Sequence, residues 1–212
     1  MKYEKYSYIF PPRPKNAVNP EDLIFWDNNS LIAQPKLNGS NTTIYTNGVQ
    51  TVVMNRHNSR LSNFNLSQSE INSIYKCQPG KWLVINGEYL NKNKQDETGE
   101  SFNHKLIIFD ILVCDSNYLV GSTFSERISI LDDLYGTHNS DKEYLYSITE
   151  NIYRVKSYNS GFSSIFSEFT KAPVVEGLVL KRKSGKLEVG TTENNNTKSQ
   201  IKSRVATKNY KY

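Results

Sequence analysis

Five short polar insertions interrupt or end apolar runs, and their side chains are of the types that engage phosphates and nucleotides. The first is Ile32-Ala-Gln-Pro-Lys36-Leu-Asn-Gly39-Ser-Asn41. A lysine leaves an apolar strand after Pro35, and a glycine follows three residues later. Such a lysine can be held rigidly beside a close-approaching backbone, or it can be a solvated strand-end charge. The second, Trp82-Leu-Val-Ile-Asn-Gly-Glu88-Tyr89, is a buried-strand pattern ending in a carboxylate. The third, Lys105-Leu-Ile-Ile-Phe109-Asp110-Ile-Leu-Val113, sets an aromatic ring within an aliphatic run. The fourth, Val174-Val-Glu176-Gly-Leu-Val-Leu-Lys181, opens an apolar strand with a glutamate. The fifth, Gln200-Ile-Lys202-Ser-Arg204, places two cations at i and i+2, on one face of a strand. Each also has a structural reading: Phe109 as core, Glu88 and Glu176 as strand-edge charges, Lys202 and Arg204 as a solvated face.

Other chemistries lack their signatures. The chain has no G-x-x-x-x-G-K-[ST] phosphate loop, no G-x-G-x-x-G turn and no G-x-S-x-G nucleophile elbow. His57, His104 and His138 lie far apart and read as surface or loop residues. Cys77 and Cys114 have no metal-type spacing and read as reduced thiols of a cytosolic protein.

The elements that must position these groups are mostly strands. Strand-like segments run over Leu31–Gln34, Thr42–Tyr45, Gln50–Asn55, Trp82–Ile85, Lys105–Val113, Val174–Lys181 and Gln200–Val205. Asn47-Gly48 predicts a tight hairpin turn with positive φ. Ser67-x-x-Glu70 and Thr123-x-x-Glu126 predict capping boxes ahead of helices, the second stopped by Gly136. Phe162, Ile165, Phe166 and Phe169 form a third helical stripe. The loop at Asn91–Asn103 and the Asn-rich patch Glu193–Thr197 read as irregular. The balance is α+β with mostly antiparallel sheet, because the strands follow one another by hairpins.

At 212 residues the chain is long enough to bury a core without staples, and 37% hydrophobic with 12% aromatic residues excludes a wholly disordered chain. No apolar run reaches the roughly 18–20 residues of a membrane span, and the N-terminus has no signal-peptide centre. The formal charge of +5 is unevenly placed. Residues 171–212 hold ten Lys/Arg against three acids, Glu176, Glu188 and Glu193, which leaves the remainder slightly acidic. A basic end on a near-neutral body suits a polyanion partner, or is a solvated tail.

Taken in order, the motifs change the reading. Lysine-x-x-glycine, Arg56, G-E, an aromatic–Asp strand, E-G-L-V-L-K and K-x-R together resemble the covalent nucleotidyltransferase superfamily, from about Ile32 to Arg204. That group comprises ATP- and NAD-dependent polynucleotide ligases and mRNA capping enzymes. The resemblance implies an antiparallel-sheet nucleotidyltransferase (adenylation) domain spanning 1–212, with no OB-fold or other C-terminal appendage. It implies Lys36 as the nucleophile that takes AMP from ATP and passes it to a 5′-phosphate, so that a 3′-hydroxyl can seal the break. An amine attacks only when deprotonated, so Lys36 needs cationic neighbours; Lys202, Arg204 and a bound Mg²⁺ or Mn²⁺ are suitable. Glu176 is implied as a catalytic carboxylate and metal ligand. Gln34, Asn41, Arg56, Glu88, Phe109 and Lys181 are implied as nucleotide contacts, Phe109 by stacking on the purine and Glu88 through ribose hydroxyls.

With only 35 residues before Lys36, ATP is expected over NAD; with eight after Arg204, a capping enzyme is disfavoured. Asn41 resembles the K-x-H-G-T-N asparagine of nick-sealing phage RNA ligases of the second type, and Arg56 matches their arginine spacing. Asn38 departs from the usual aspartate, and the glutamate motifs resemble DNA ligases about as well. An RNA ligase is expected first, a minimal DNA ligase second, and a catalytically degenerate nucleic-acid-binding module third. The expected partner is nicked or broken RNA or DNA, with a separate protein supplying the clamp, in the cytoplasm, of an infected host cell if the phage resemblance holds.

Overall fold

The chain changes sheets at Asn38–Gly39, and that crossing fixes where the polar motifs meet. The computed structural model describes residues 1–91 and 93–206. Lys208 and Lys211, two of the ten C-terminal cations, lie outside them. A four-stranded sheet has the order β1 (Asn16–Ala17), β11 (Gln200–Arg204), β10 (Val175–Arg182), β2 (Leu31–Leu37). The larger, seven-stranded sheet has the order β4 (Thr51–Asn55), β3 (Ser40–Thr46), β5 (Leu83–Leu90), β6 (Lys105–Cys114), β9 (Ile152–Val155), β8 (Leu145–Ser147), with β7 (Asn117–Tyr118) also paired to β6. All seven expected strands form. β8 and β9 were not among them; they are only three and four residues long, below the length at which alternation is legible. The sheets are mostly antiparallel, as expected from the hairpins, but β6–β9 and β1–β11 pair in parallel.

Both capping boxes close. Ser67 starts α2 (Gln68–Ile74) and Thr123 starts α3 (Phe124–Tyr135), each serine or threonine exchanging hydrogen bonds with the glutamate three residues on. Gly136 ends α3 at φ +69°. The phenylalanine stripe becomes α4 (Phe162–Phe169), whose first N–H groups, from Gly161 and Phe162, are received by the distant Asp27 carboxylate just after α1 (Leu23–Trp26). Asn47-Gly48 forms the expected hairpin turn between β3 and β4, with positive φ at one residue rather than both. Only Gly48 takes positive φ; Asn47 instead accepts the N–H groups of Val49 and Gln50 through its side chain, giving a four-residue loop.

Alternation along the strands splits the apolar residues among three clusters. Leu178 and Leu180 of β10 join Leu31, Ala33 and Leu37 of β2 against α4, Ile107 and Tyr153. Ile44, Ile85, Ile108 and Ile111 face α2 and α3, while Tyr45, Val84 and Leu112 face the N-terminal segment through Tyr3 and Ile9. Asp110 and Arg127 join β6 to α3 as a buried pair at 2.8 and 3.1 Å, the two residues 0% and 3% exposed. Among the described residues no helix is long and apolar enough to cross a membrane.

Removing one partner of such a buried pair strands the other charge. Asp110→Asn is therefore expected to lower the unfolding free energy by about 3–5 kcal/mol, measured by urea denaturation. A loss below about 1 kcal/mol, the level of an exposed pair, would contradict this role.

Candidate active site

On β2, β10 and β11 the residues facing away from the core form cross-strand rows. Lys36 lies opposite Gly177, which lies opposite Arg204; Gln34, Val179 and Lys202 make the next row, followed by Lys181 beside Gln200. The i, i+2 spacing that put Lys202 and Arg204 on one strand face thus aims them at the face bearing Lys36. Gly177 leaves the middle of its row without a side chain. Its φ is +148°, and a Cβ there would lie 1.9 Å from the Ser203 carbonyl oxygen, so no other residue fits. The register slips between Val175 and Gly177, and this bulge turns Glu176 into the row. Its carboxylate takes one hydrogen bond from Lys36 Nζ through Oε1 and one from Arg204 Nη2 through Oε2, the latter 2.7 Å.

The larger sheet forms the opposite wall. A second slip, between Asn86 and Gly87, falls where Phe109 stands as the extra residue of β6. Gly87 is needed there because a Cβ would sit 2.6 Å from the Ile107 carbonyl. Phe109 carries the Lys181 ammonium over its ring at 4.9 Å, and the same ammonium lies 4.6 Å from the Phe124 ring centre. Lys181 is buried, which pulls its pKa down to about 8; Asp110 opposes that shift and Arg127 adds to it. Glu88 faces Asn41 across β3 and β5, and its Oε1 accepts the Gly39 N–H at 3.1 Å. Gly39 can approach because it has no Cβ; one would stand 2.5 Å from the Tyr89 carbonyl.

Between these walls lies a cleft of about 740 Å³. Gln34, Lys36, Asn41, Arg56, Glu88, Phe109, Glu176, Lys181, Lys202 and Arg204 all line it. No strand carries more than two of these ten. Arg56 stands exposed on the rim and donates to His57, which also lines the cleft. Arg13 and Lys15 were missed. Their segment runs along the cleft ahead of β1, tied to the Asn-rich patch by Arg13–Glu193 at 2.7 Å and by Lys15–Asn194. The signal was the basic Pro11-Pro-Arg-Pro-Lys15 run, which has no hydrophobic period to place it.

The cleft's charges compete. Burial lifts Glu88 from its ordinary value to about 7; Glu176 adds to that shift, while Lys36, the Gly39 N–H and Arg56 oppose it. Lys202 is lowered, first by burial and then by Lys36, Arg204 and Arg56. Gln34 is buried in the cleft wall, with Nε2 donating to Ser157 Oγ at 3.0 Å and Oε1 without a partner among the described residues.

Solved structures share this fold. The ligase domain of Mycobacterium tuberculosis LigD superposes with a TM-score of 0.58 at 14% identity, covering 82% of this chain and 53% of that one. The fold is that of a ligase nucleotidyltransferase domain. A Lig E DNA ligase gives 0.53 at 16% identity, over 93% and 70% of the two chains. An archaeal ATP-dependent RNA ligase gives 0.51 at 14%, over 91% and 47%. The chain therefore spans about half the length of the LigD and RNA ligase structures. No protein-family model and no curated protein matches the sequence. In this ligase fold the cleft lies between the two sheets, with Lys36 beside the crossing.

Glu88 predicts a pH dependence. The folded protein holds its proton up to about pH 7, whereas an unfolded glutamate releases it near 4.5. Its contribution to stability is fully present below that lower value and is lost as pH rises through about 7. The stability of wild type relative to Glu88→Gln should therefore fall across that window in denaturation at successive pH values. A flat difference would show that Glu88 is not held protonated.

Proposed function

We propose that the protein is an ATP-dependent polynucleotide ligase in which Lys36 becomes covalently adenylylated. The observation that carries this reading is the single amine–carboxylate–guanidinium cluster, Lys36–Glu176–Arg204, at the wall of a cleft whose other groups suit a nucleotide. The unpaired Gln34 Oε1 suits the exocyclic amine of adenine, and Phe109 presents apolar ring surface. Lys202, Arg204 and Arg56 suit the phosphates. Glu88 suits the ribose hydroxyls, and Glu176 is the cleft carboxylate that fits Mg²⁺ or Mn²⁺, since magnesium takes one or two carboxylates plus substrate phosphates. When bound, such an ion neutralises the leaving pyrophosphate.

Lys36 Nζ attacks the α-phosphorus; an N–P bond forms and the P–O bond to pyrophosphate breaks. The amine must first lose a proton, and Glu176 Oε1, already hydrogen-bonded to it, is the acceptor at hand. Arg204, held by the other oxygen, and Lys202 one row along are the cations that would meet the charge developing on the phosphate. AMP then passes to a nucleic-acid 5′-phosphate, and a 3′-hydroxyl displaces it.

RNA at the 3′-hydroxyl side is our preferred substrate, on the strength of Asn41 and Arg56, both on the cleft. A minimal DNA ligase is the second reading, favoured by the higher structural similarity to the LigD ligase domain.

Intact-mass measurement after incubation with ATP and Mg²⁺ should show one added AMP, absent in Lys36→Ala. No adduct on folded wild-type protein would defeat the proposal, and a GMP adduct from GTP would move it to the capping reaction. Lys202→Ala should slow adduct formation by about 100-fold or more, the scale seen when one transition-state donor is removed, while leaving the melting temperature near wild type. Sealing of matched nicks with RNA or DNA at the 3′-hydroxyl side separates the substrates through the 2′-hydroxyl; equal rates would void the RNA preference.

A further inference from the structure

Cys77 and Cys114, remote in sequence and read there as reduced thiols without metal-type spacing, are neighbours in the fold. Cys77 lies in the connection from α2 to β5, and Cys114 is the last residue of β6. Asp115 and Ser116 follow with φ of 49° and 58°, the left-handed pair that folds β7 back onto β6. Among the described residues this is where three ligand-type side chains converge: both sulfurs and a carboxylate oxygen of Asp115 lie within 4.8 Å of one another.

We propose that Cys77, Cys114 and Asp115 form a binding site for a thiophilic divalent cation of the zinc class. Tetrahedral zinc holds sulfur at about 2.3 Å and carboxylate oxygen at about 2.0–2.2 Å, so its ligands stand about 3.3–3.8 Å apart. The cluster needs to contract by about 1.5 Å at most to meet that spacing. The surrounding backbone already orients the donors. The Asp115 N–H donates to Cys77 Sγ at 3.3 Å, and the Gln78 N–H holds Asp115 Oδ1 at 2.8 Å, hydrogen bonds of the kind that orient metal ligands. The Trp82 carbonyl oxygen, 3.9 Å from Cys77 Sγ, or a water fills the fourth position. All three residues are half-buried, so an ion can enter from solvent.

Binding replaces the thiol protons with the cation and releases them to solvent. A Cys77–Cys114 disulfide is the competing use of the pair. It needs the sulfurs at about 2.05 Å, a longer closing movement, and gives the carboxylate no part. The bound ion would tie the β6–β7 turn to the α2–β5 connection. None of the three residues lines the nucleotide cleft, so this site stands or falls independently of the ligase reading.

The test is titration of the reduced, chelator-treated full chain with Co²⁺, followed by displacement with Zn²⁺. One Co²⁺ per chain is expected, with a thiolate-to-metal charge-transfer band that Zn²⁺ abolishes and a rise in melting temperature on adding Zn²⁺. Cys77→Ser and Cys114→Ser should lose the band. Asp115→Asn, which keeps both sulfurs, should weaken binding by about tenfold or more, and circular dichroism checks that each variant is folded. Absence of saturable binding at a one-to-one ratio, equal binding by folded Cys77→Ser, or an affinity unchanged in Asp115→Asn would each overturn the proposal. So would a Cys77–Cys114 disulfide, two hydrogens lighter by mass, in protein purified without oxidant.

Discussion

The carboxylate of Glu176, shared between Lys36 and Arg204, is the constraint on which the rest of the cleft depends. These side chains are only about one-fifth to one-quarter exposed. Three charges at that depth persist only when paired, because leaving one uncompensated costs far more than the pair gains. The anion in the middle lets two cations stand on the strands either side of β10 without driving each other into solvent. The same arrangement leaves Lys36 hydrogen-bonded to a carboxylate at the cleft wall.

That geometry requires two departures from regular sheet. An unbroken β10 would send Glu176 to the face opposite Lys181, into the cluster of Leu178 and Leu180. The bulge at Val175–Gly177 reverses it, and Gly177 is obligatory because the β11 backbone occupies the space of a Cβ. On the opposite wall the slip at Asn86–Gly87 accommodates Phe109, with Gly87 giving way to the Ile107 carbonyl. Behind Phe109, the buried Asp110–Arg127 pair anchors β6 to α3 and sets the charge environment of Lys181. The glycines of the G-E and E-G motifs thus permit close packing at the two bulges, and the glutamates supply the charge.

Much of the fold is legible before any coordinates. Alternating apolar residues locate seven strands, and two capping boxes begin α2 and α3 because a serine or threonine and a glutamate three residues on satisfy each other locally. Short elements are not legible this way. β8 and β9 owe their existence to neighbours, β9 lying parallel to β6 through a contact no local signal encodes. The Asn47 turn differs because its side chain, rather than a second left-handed residue, satisfies the backbone.

The sequence by itself determined which residue types are present and which strand faces they occupy, since period and pairing chemistry are local properties. Lys202 and Arg204 share a face for that reason alone. Only the tertiary structure decided that this face is also the face of Lys36, that Glu176 turns to join it, and that Arg13 and Lys15 border the same cleft. It likewise brought Cys77 to Cys114. Those juxtapositions depend on strand order and register, which arise from the packing of all the strands together, and no window along the chain contains them.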